Sequence, residues 1–172
     1  MSDIIYDEVG IMKDGQYRPG QWKEIAVHDS KNIKGFFGAY RRLSNMYLVR
    51  VYYEGDVYPS VENAYQAAKF PKEERAYFKT CSPYDAKRAS IGKPMMYSKE
   101  EWDNIRKVPI MKMLLEQKFN CKMNGEFHTF LSGTKGKYLE ETNWWDDTFW
   151  GCTLDGVGEN YLGKLIMEIR DR

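Results

Sequence analysis

The sequence has few cysteines, few histidines and almost no net charge, and each shortage excludes a kind of protein. Its three cysteines, Cys81, Cys121 and Cys152, form no Cys-x-x-Cys pair. They fit reduced thiols in the cytoplasm better than a disulfide framework. The two histidines, His28 and His128, lie far apart in the sequence, so we expect no zinc site.

Long apolar stretches are also missing. No run approaches the roughly 20 apolar residues that a membrane-spanning helix needs, and residues 1–8 have neither the basic nor the apolar region of a signal peptide. We therefore expect a cytoplasmic protein with no membrane partner. The 26 Lys and Arg residues balance 25 Asp and Glu residues, for a formal net charge of +1. This balance excludes both the broad basic surface of a duplex-DNA binder and the charge excess of a disordered chain.

Aromatic residues, in contrast, are abundant, at 15 % of the 172 residues. A chain of this length is the size of one domain and buries about two-thirds of its unfolded surface without needing disulfides or metal. Aromatic rings fill cores, but they also stack on flat ligands. Composition alone therefore leaves both uses of the surplus open.

The hydrophobic pattern predicts an α+β fold, namely a helix-rich single domain with a small β-sheet or hairpin near the N-terminus. Residues 1–32 contain Gly15, Pro19 and Gly20 and have weak periodicity. We expect them to form an arm, with a short strand or two, that packs on the main body. The main body is predicted to span residues 33–172.

Strand patterns come first in that body. Residues 33–40 are β-like and aromatic, and residues 47–53 are rich in Val and Tyr. A turn at Glu54-Gly55-Asp56 and a second apolar pair at 57–58 follow, which together predict a hairpin.

A helix is predicted directly after the hairpin, with Ser60 as its N-cap and Pro71 as its stop. On this helix Glu62, Gln66 and Lys69 form a line at i, i+4 and i+7 beside the apolar stripe. Further elements are expected as a helical piece at 73–79, helices at 83–92, 98–120, 126–131 and 160–170, and a strand at 137–142.

Glu62 is the first place where chemistry can reside. An acid in the first helical turn complements the helix dipole, and this structural role is the simpler interpretation. Glu62 also flanks the apolar stripe of a helix that follows a hairpin directly. A carboxylate at such a junction can face a cleft, so both interpretations stay open.

The second place is the loop at 144–151, in which three tryptophans and two acids lie within eight residues. Such a loop either covers the core as a lid or binds a flat cationic or nucleobase-like ligand. The glycines at 156–158 precede the last helix and can bring backbone N–H groups to a phosphate, although this signal alone is weak.

Other candidates have plainer interpretations. The Ser44-Asn45 pair favours a turn over a ligand contact. Trp102 on the longest helix is expected in the core. The Arg41-Arg42 pair either meets a phosphate or is simply solvated.

In order along the chain, these segments resemble the YbiA/NADAR family over about residues 33–172. The set is specific although each piece alone is not. The residues that carry the resemblance are Phe36-Phe37-Gly38, Leu43-Ser44-Asn45, the stretch 58–70, Trp102, Lys118-Phe119, Leu139-x-Glu141, Asp147-x-Phe149-Trp150-Gly151, Gly158-x-Asn160-x-Leu162-Gly163 and Met167-x-Ile169-Arg170.

The resemblance implies a YbiA-like fold and an N-glycosidase, a hydrolase that cleaves the bond between ribose and a base. The family's substrates include a ribosylamino-pyrimidine phosphate of riboflavin synthesis and ADP-ribosylated guanine. It further implies a ribosylated nucleotide or ADP-ribose-type small molecule as partner, with ADP-ribosylated nucleic acid ends as a further class. No cofactor and no metal are implied. A non-catalytic module that binds ADP-ribose or a nucleotide is the alternative.

By residue matching, Glu62 and Asp147 are the implied catalytic carboxylates, which stabilise an oxocarbenium-like transition state and activate water. Which of the two activates water stays open. The implied substrate-binding residues are Gly38, Arg41, Ser44, Asn45, Lys69, Trp102, Trp150, Gly151 and Asn160.

Two departures from the family pattern are visible. The stretch from Trp102 to Phe119 is one residue longer and contains Pro109, which lacks the N–H that would bond the carbonyl of Ile105. We expect a kink or a bulge there, and a π-bulge would absorb the extra residue and keep Trp102 in place. Cys152 stands where some members have an acid.

Overall fold

A computed structural model describes residues 11–13, 16–18 and 22–172 of the chain, the last range with its side chains. It confirms the predicted α+β class, because short strands and helices alternate along the chain. The strands are β1 (Ile11–Lys13), β2 (Gln16–Arg18), β3 (Val27–His28), β4 (Asn32–Lys34), β5 (Val51–Tyr53), β6 (Asp56–Tyr58) and β7 (Tyr138–Glu140). The helices are α1 (Trp22–Ile25), α2 (Val61–Ala67), α3 (Pro83–Ser90), α4 (Lys99–Glu101), α5 (Lys107–Lys118), α6 (Gly125–Ser132) and α7 (Tyr161–Arg170).

The chain divides into two units. A terminal unit comprises residues 1–44 and 131–172, and a central unit comprises residues 45–130. In the terminal unit β1 pairs with β2, so the arm contains the short strands that its sequence predicts. The punctuating residues Gly15, Pro19 and Gly20 lie outside the described residues.

The core of the terminal unit is a three-stranded sheet. Strand β3 runs antiparallel to β4, and β4 runs parallel to β7, with Ile33 opposite Leu139. Both of these side chains are fully buried. Helix α7 packs on β7, and its Leu162 and Ile166 are buried. Pairing of β4 with β7 joins residues far apart in the chain, and the sequence pattern did not predict it.

One strand prediction is wrong in its extent. The β-like pattern at 33–40 ends as a strand at Lys34, because the chain turns at Gly35 and Gly38–Leu43 forms a 3-10 helix. The expected helical piece at 73–79 is likewise two short 3-10 turns, Lys72–Glu74 and Ala76–Lys79. Phe36 and Phe78 are nonetheless buried in these segments, although neither lies in a continuous strand or an α-helix.

The central unit begins with the predicted hairpin. Strands β5 and β6 are antiparallel, with Tyr52 opposite Val57. The two-residue turn has φ of 47° at Glu54 and 85° at Gly55, the left-handed pair that matches the twist of a hairpin.

Helix α2 follows at once and is buried on every side, since all seven of its residues are buried. Ser60 is its N-cap, as predicted, and accepts the backbone N–H of Asn63 at 3.0 Å. It packs against α3, α5 and both hairpin strands. A helix in this position is normally apolar all round, yet α2 carries Glu62, Asn63 and Gln66.

Asn63 is the polar residue that fastens α2 to its surroundings. Its Nδ2 donates to the carbonyl oxygens of Phe78 and Cys81, each at 2.9 Å. Its Oδ1 accepts the Ser60 hydroxyl at 2.5 Å. Each polar group of Asn63 therefore has a partner although the residue is fully buried.

The longest helix confirms the predicted cap and the predicted bulge. Ser98 Oγ accepts the N–H of Glu101 at 3.0 Å. A π-helical turn, Trp102–Arg106, then separates α4 from α5, and the N–H of Lys107 donates to the carbonyl of Trp102. The π turn lies just before Pro109 and shifts the hydrogen-bond pattern where proline interrupts it. Among the residues that the structure describes, no helix is long and apolar enough to cross a membrane.

We expect Asn63→Ala to lower the free energy of unfolding by about 2–3 kcal/mol, because it leaves two buried carbonyl oxygens without donors. Urea denaturation measures this loss. Asn104→Ala, which removes an exposed amide, is the control and should change the free energy by less than about 0.5 kcal/mol. Equal losses in the two variants would contradict the assigned role of Asn63.

Candidate functional site

Glu62 of the central unit is a buried carboxylate, with 7 % of its surface exposed. Its position in the first turn of α2 follows from the Ser60 cap. Its backbone N–H donates to the carbonyl of Asn45 at 3.1 Å. One carboxylate oxygen, Oε1, accepts a hydrogen bond from Gln66 Nε2 at 2.7 Å. The i, i+4 spacing seen in the sequence thus becomes a direct contact, and Gln66 is a residue that the site prediction missed.

Lys69 completes the predicted line on this side of the helix, just beyond the end of α2. Its Nζ lies 5.3 Å from the ring centre of Tyr65 and 5.7 Å from that of Trp102. Burial lowers the pKa of Lys69 below its usual value of 10.5, and the Glu62 carboxylate opposes that shift. The ammonium groups of Lys87 and Lys107 lower the pKa further.

These cations are arranged by α3 and by the π turn. Lys107 directly follows the π turn, and its Nζ pairs with Asp103 Oδ1 at 3.1 Å. The Asp103 carboxylate, like that of Glu62, favours the charged form of Lys69 and so raises its pKa. In the central unit, Lys69 therefore lies within electrostatic reach of two carboxylates, Glu62 and Asp103, and of two further ammonium groups.

Trp102 lies in the core of the central unit, as the residue pattern predicts, with 4 % of its surface exposed. Its ring centre is 5.4 Å from that of Tyr65 and 6.0 Å from that of Tyr97. The π turn begins at Trp102 itself. Trp102 thus forms an aromatic floor under the Lys69 ammonium.

Asn45 joins the same cluster through its backbone. Besides accepting the Glu62 N–H, it points its Nδ2 at the Met111 sulfur, 3.4 Å away. Its Oδ1 is buried and has no donor among the described residues. Four predicted residues, Asn45, Glu62, Lys69 and Trp102, are therefore brought together in the central unit.

The other predicted residues belong to the terminal unit. Gly38 opens the 3-10 helix that carries Arg41 and leads to Ser44, whose N–H donates to the Arg41 carbonyl at 2.9 Å. Gly38 has φ of 55°, and a Cβ atom there would lie 2.2 Å from the Trp22 ring. Only glycine fits that approach, which gives this position a structural reason as well as a predicted role.

Asp147 folds the aromatic loop of the terminal unit. Its Oδ1 accepts the backbone N–H groups of Phe149 at 3.1 Å and Trp150 at 2.9 Å. The Asn143 side chain holds the backbone of Asp147 from both sides, at 3.0 Å to its N–H and 2.8 Å to its carbonyl. This structural role of Asp147 was not predicted, although an Asp side chain commonly accepts the backbone N–H of the residue two positions later in a turn.

Gly151 is required by a close backbone approach. A Cβ atom at this position would lie 2.0 Å from the Glu141 carbonyl oxygen. The next residue, Cys152, donates its N–H to that same oxygen at 2.9 Å and bridges to Thr142.

The first N–H groups of α7 are already occupied. Tyr161 donates to the Phe149 carbonyl at 3.1 Å and Leu162 to the Trp150 carbonyl at 3.0 Å. The suggestion that the glycines at 156–158 lead into a phosphate-binding helix terminus is therefore wrong. The helix terminus instead holds the aromatic loop.

Asn160 fastens α7 to β7. Its Oδ1 accepts the Glu141 N–H at 3.1 Å, and its Nδ2 donates to the Leu139 carbonyl at 2.9 Å and the Tyr138 hydroxyl at 3.1 Å. With 2 % of its surface exposed, its side chain serves the fold. Its predicted contact with substrate stays a prediction.

The contacts of the tryptophans in this loop partly support the interpretation of the loop as a lid over the core. Trp144 stacks on Phe37 with ring centres 5.6 Å apart, and Trp145 meets Trp144 edge-on. Phe149 stacks on Tyr161 at 4.5 Å.

Within the described ranges, no three His, Cys, Asp or Glu side chains are placed to hold a metal ion.

Comparison with known proteins identifies relatives for most of the chain. The model of the NADAR domain family matches residues 23–172. A riboflavin biosynthesis protein of Vibrio vulnificus is 31 % identical over 131 residues, which is 75 % of this chain but 34 % of that protein. This chain thus spans about a third of that relative.

Two further relatives are similar in length to this chain. The N-glycosidase YbiA of Shigella flexneri is 29 % identical over 138 residues, or 77 % of this chain and 81 % of that protein. The NMR structure of Escherichia coli YbiA superposes with a TM-score of 0.68 at 28 % identity and covers 85 % of this chain and 86 % of its own.

We expect Glu62→Gln to lower the pKa of Lys69 further, because the variant removes a negative charge that favours the ammonium form. NMR titration of ¹³C-methylated lysines measures this pKa. Glu73→Gln, which neutralises an exposed carboxylate, is the control and should leave the Lys69 titration in place. A rise or no change in Glu62→Gln would contradict the assigned geometry.

We expect Asp147→Ala to lower the free energy of unfolding by about 1 kcal/mol, since two backbone N–H groups lose their acceptor. Asp147→Asn keeps an oxygen at Oδ1 and should lose less. Urea denaturation compares the two, with Asp155→Ala at an exposed position as the control. If Asp147→Asn is as unstable as Asp147→Ala, the loop does not depend on this acceptor.

Proposed function

The chain belongs to the NADAR domain family, and from that premise we propose that it is an N-glycosidase that hydrolyses the bond between ribose and a base. The observation that carries the proposal is the buried Glu62 carboxylate, which Gln66 holds and which lies near the Lys69 ammonium. Relatives of similar length that are named N-glycosidase support it.

Glu62 suits this chemistry because the reaction creates positive charge. Breaking a ribosyl C–N bond leaves oxocarbenium-like charge on the anomeric carbon, and a carboxylate in a water-poor environment stabilises it strongly. Water then forms the new C–O bond, and its proton is taken up by a base. The departing nitrogen keeps the electron pair of the broken bond and is protonated.

Lys69 provides the contact for a phosphorylated substrate. Its ammonium, with those of Lys87 and Lys107 close enough to affect its pKa, makes a locally positive region on a chain whose net charge is +1. A phosphate bound there forms charge-assisted hydrogen bonds. We propose a ribosylamino-pyrimidine phosphate or ADP-ribosylated guanine as substrate, since each carries phosphate on the ribose whose bond to nitrogen is cut.

The second carboxylate of the predicted pair, Asp147, stays a prediction. Its Oδ1 is committed to the N–H groups of Phe149 and Trp150, so a catalytic role would fall to Oδ2. Asp147→Asn separates the two roles, because it keeps the acceptor of the loop but removes the negative charge. Loss of turnover at unchanged stability would support a role of Asp147 in the reaction.

We expect Glu62→Gln to lower kcat/KM by about 10²–10⁴-fold, the usual loss when a positioned acid or base is removed. The assay follows release of free base from the ribosylamino-pyrimidine phosphate and from an oligonucleotide with an ADP-ribosylated guanine. Glu73→Gln is the matched control, and it should retain wild-type activity.

The same assay distinguishes the alternative function. If the wild-type protein binds ADP-ribose but releases base from neither substrate, the chain is a binding module and the proposed activity is wrong. Equal activity of Glu62→Gln and the wild type would likewise overturn the role of Glu62. Preference between the two substrates identifies which of them the enzyme uses.

A further inference from the structure

Gln66 is buried, with 5 % of its surface exposed, and it lies one helical turn after Glu62. Its Nε2 donates to Glu62 Oε1 at 2.7 Å. The NH₂ end of the Gln66 amide therefore faces the Glu62 oxygen, which accepts this hydrogen bond. The carbonyl end, Oε1, is therefore directed away from Glu62. The hydrogen bond to Glu62 fixes which end of the amide points in which direction.

The Oε1 atom of Gln66 has no hydrogen-bond donor among the described residues, although it is buried. A buried carbonyl oxygen without a donor destabilises a folded protein. Asn45 Oδ1 is in the same condition, and the Asn45 backbone carbonyl accepts the N–H of Glu62. Two acceptors without donors thus belong to the two residues that bond directly to Glu62.

This arrangement selects for a ligand that donates hydrogen bonds. In a riboside, the hydroxyl nearest to the anomeric carbon is the 2-hydroxyl. Glycosidases gain transition-state stabilisation from hydrogen bonds to that hydroxyl. Amino groups of the base also donate, but they depart with the leaving group and lie farther from the sugar carbon on which Glu62 acts.

We propose that Gln66 has two roles: its Nε2 positions the Glu62 carboxylate, and its Oε1 accepts a hydrogen bond from the 2-hydroxyl of the substrate ribose. The inference rests on the proposed function, because that function places the anomeric carbon beside Glu62. It adds a residue that determines specificity for ribose over 2-deoxyribose. Because the Gln66 amide is uncharged, it can make both hydrogen bonds without gaining or losing a proton.

Gln117 of the same unit provides a matched comparison. Its Oε1 accepts the N–H of Tyr52 at 2.7 Å, and its Nε2 donates to the carbonyl of Tyr52 at 2.8 Å. Both ends of this amide are paired within the protein. Gln117 therefore shows what a purely structural glutamine looks like in this fold, and Gln66 differs from it at Oε1.

The test compares Gln66→Met and Gln117→Met, two replacements of similar size. Affinities for ribose 5-phosphate and 2-deoxyribose 5-phosphate are measured by calorimetry on the full chain, and stability is measured by urea denaturation. We expect the wild type to prefer ribose 5-phosphate about tenfold, the effect of one hydrogen bond. Gln66→Met should lose this preference, whereas Gln117→Met should keep it.

Persistence of the ribose preference in Gln66→Met would overturn the proposal, as would the absence of any preference in the wild type. If Gln66→Met does not fold, the side-chain amide resonances of Gln66 in the wild type decide instead. At saturation they should shift more with ribose 5-phosphate than with the 2-deoxy sugar, and those of Gln117 should shift with neither.

Failure of the proposed function gives a different pattern. In that case the wild type releases no base from either glycosidase substrate, while the two sugar phosphates still report on Gln66 by binding alone. A ribose preference that depends on Gln66 would then support the contact with the 2-hydroxyl in a binding module.

Discussion

The burial of α2 on every side is the constraint on which the central unit depends. A buried helix with polar side chains is stable only if those side chains are paired. Ser60 and Asn63 meet this condition within the protein, through the N-cap and the carbonyls of Phe78 and Cys81. Glu62 and Gln66 pair with each other, but Gln66 Oε1 has no donor among the described residues. One helix thus separates residues that serve the fold from residues that are available for chemistry.

The terminal unit solves a related problem with a loop. The stretch 147–151 is irregular, and its backbone groups need partners if they are to be buried. Asp147 binds two of its N–H groups, and the first turn of α7 binds its carbonyls. Asn160 then ties that turn to β7. The motif residues that mark the family in this unit therefore also hold its loop together.

Local signals in the sequence predicted much of this structure. Caps at Ser60 and Ser98, the Glu54-Gly55 turn and the bulge before Pro109 each depend on neighbouring residues, and the structure has all of them. The α+β class followed from the same patterns. Parallel pairing of β4 with β7 was missed because it joins distant segments, and no short window contains both strands.

The site was predicted unevenly for the same physical reason. Glu62 and Lys69 were recognisable from spacing on one helix and from the family motifs. Gln66 was visible in the sequence only as a residue at i, i+4 from Glu62. That its Oε1 has no donor among the described residues can be seen only in the three-dimensional structure. Whether a polar residue such as Asp147 or Asn160 serves the backbone or a ligand depends on which atoms lie opposite it, and a sequence does not contain that information.

The π turn at Trp102–Arg106 has a consequence for how the length of this segment can vary. A residue added to or removed from an α-helix rotates everything beyond it by about 100°. A π turn holds one residue more than an α-helical turn, and the helix that follows it, α5, buries Met111, Leu114 and Leu115. A π turn of this kind absorbs a single added residue within one turn of helix, so this segment is a place where the chain length can change by one without rotating the buried face of α5.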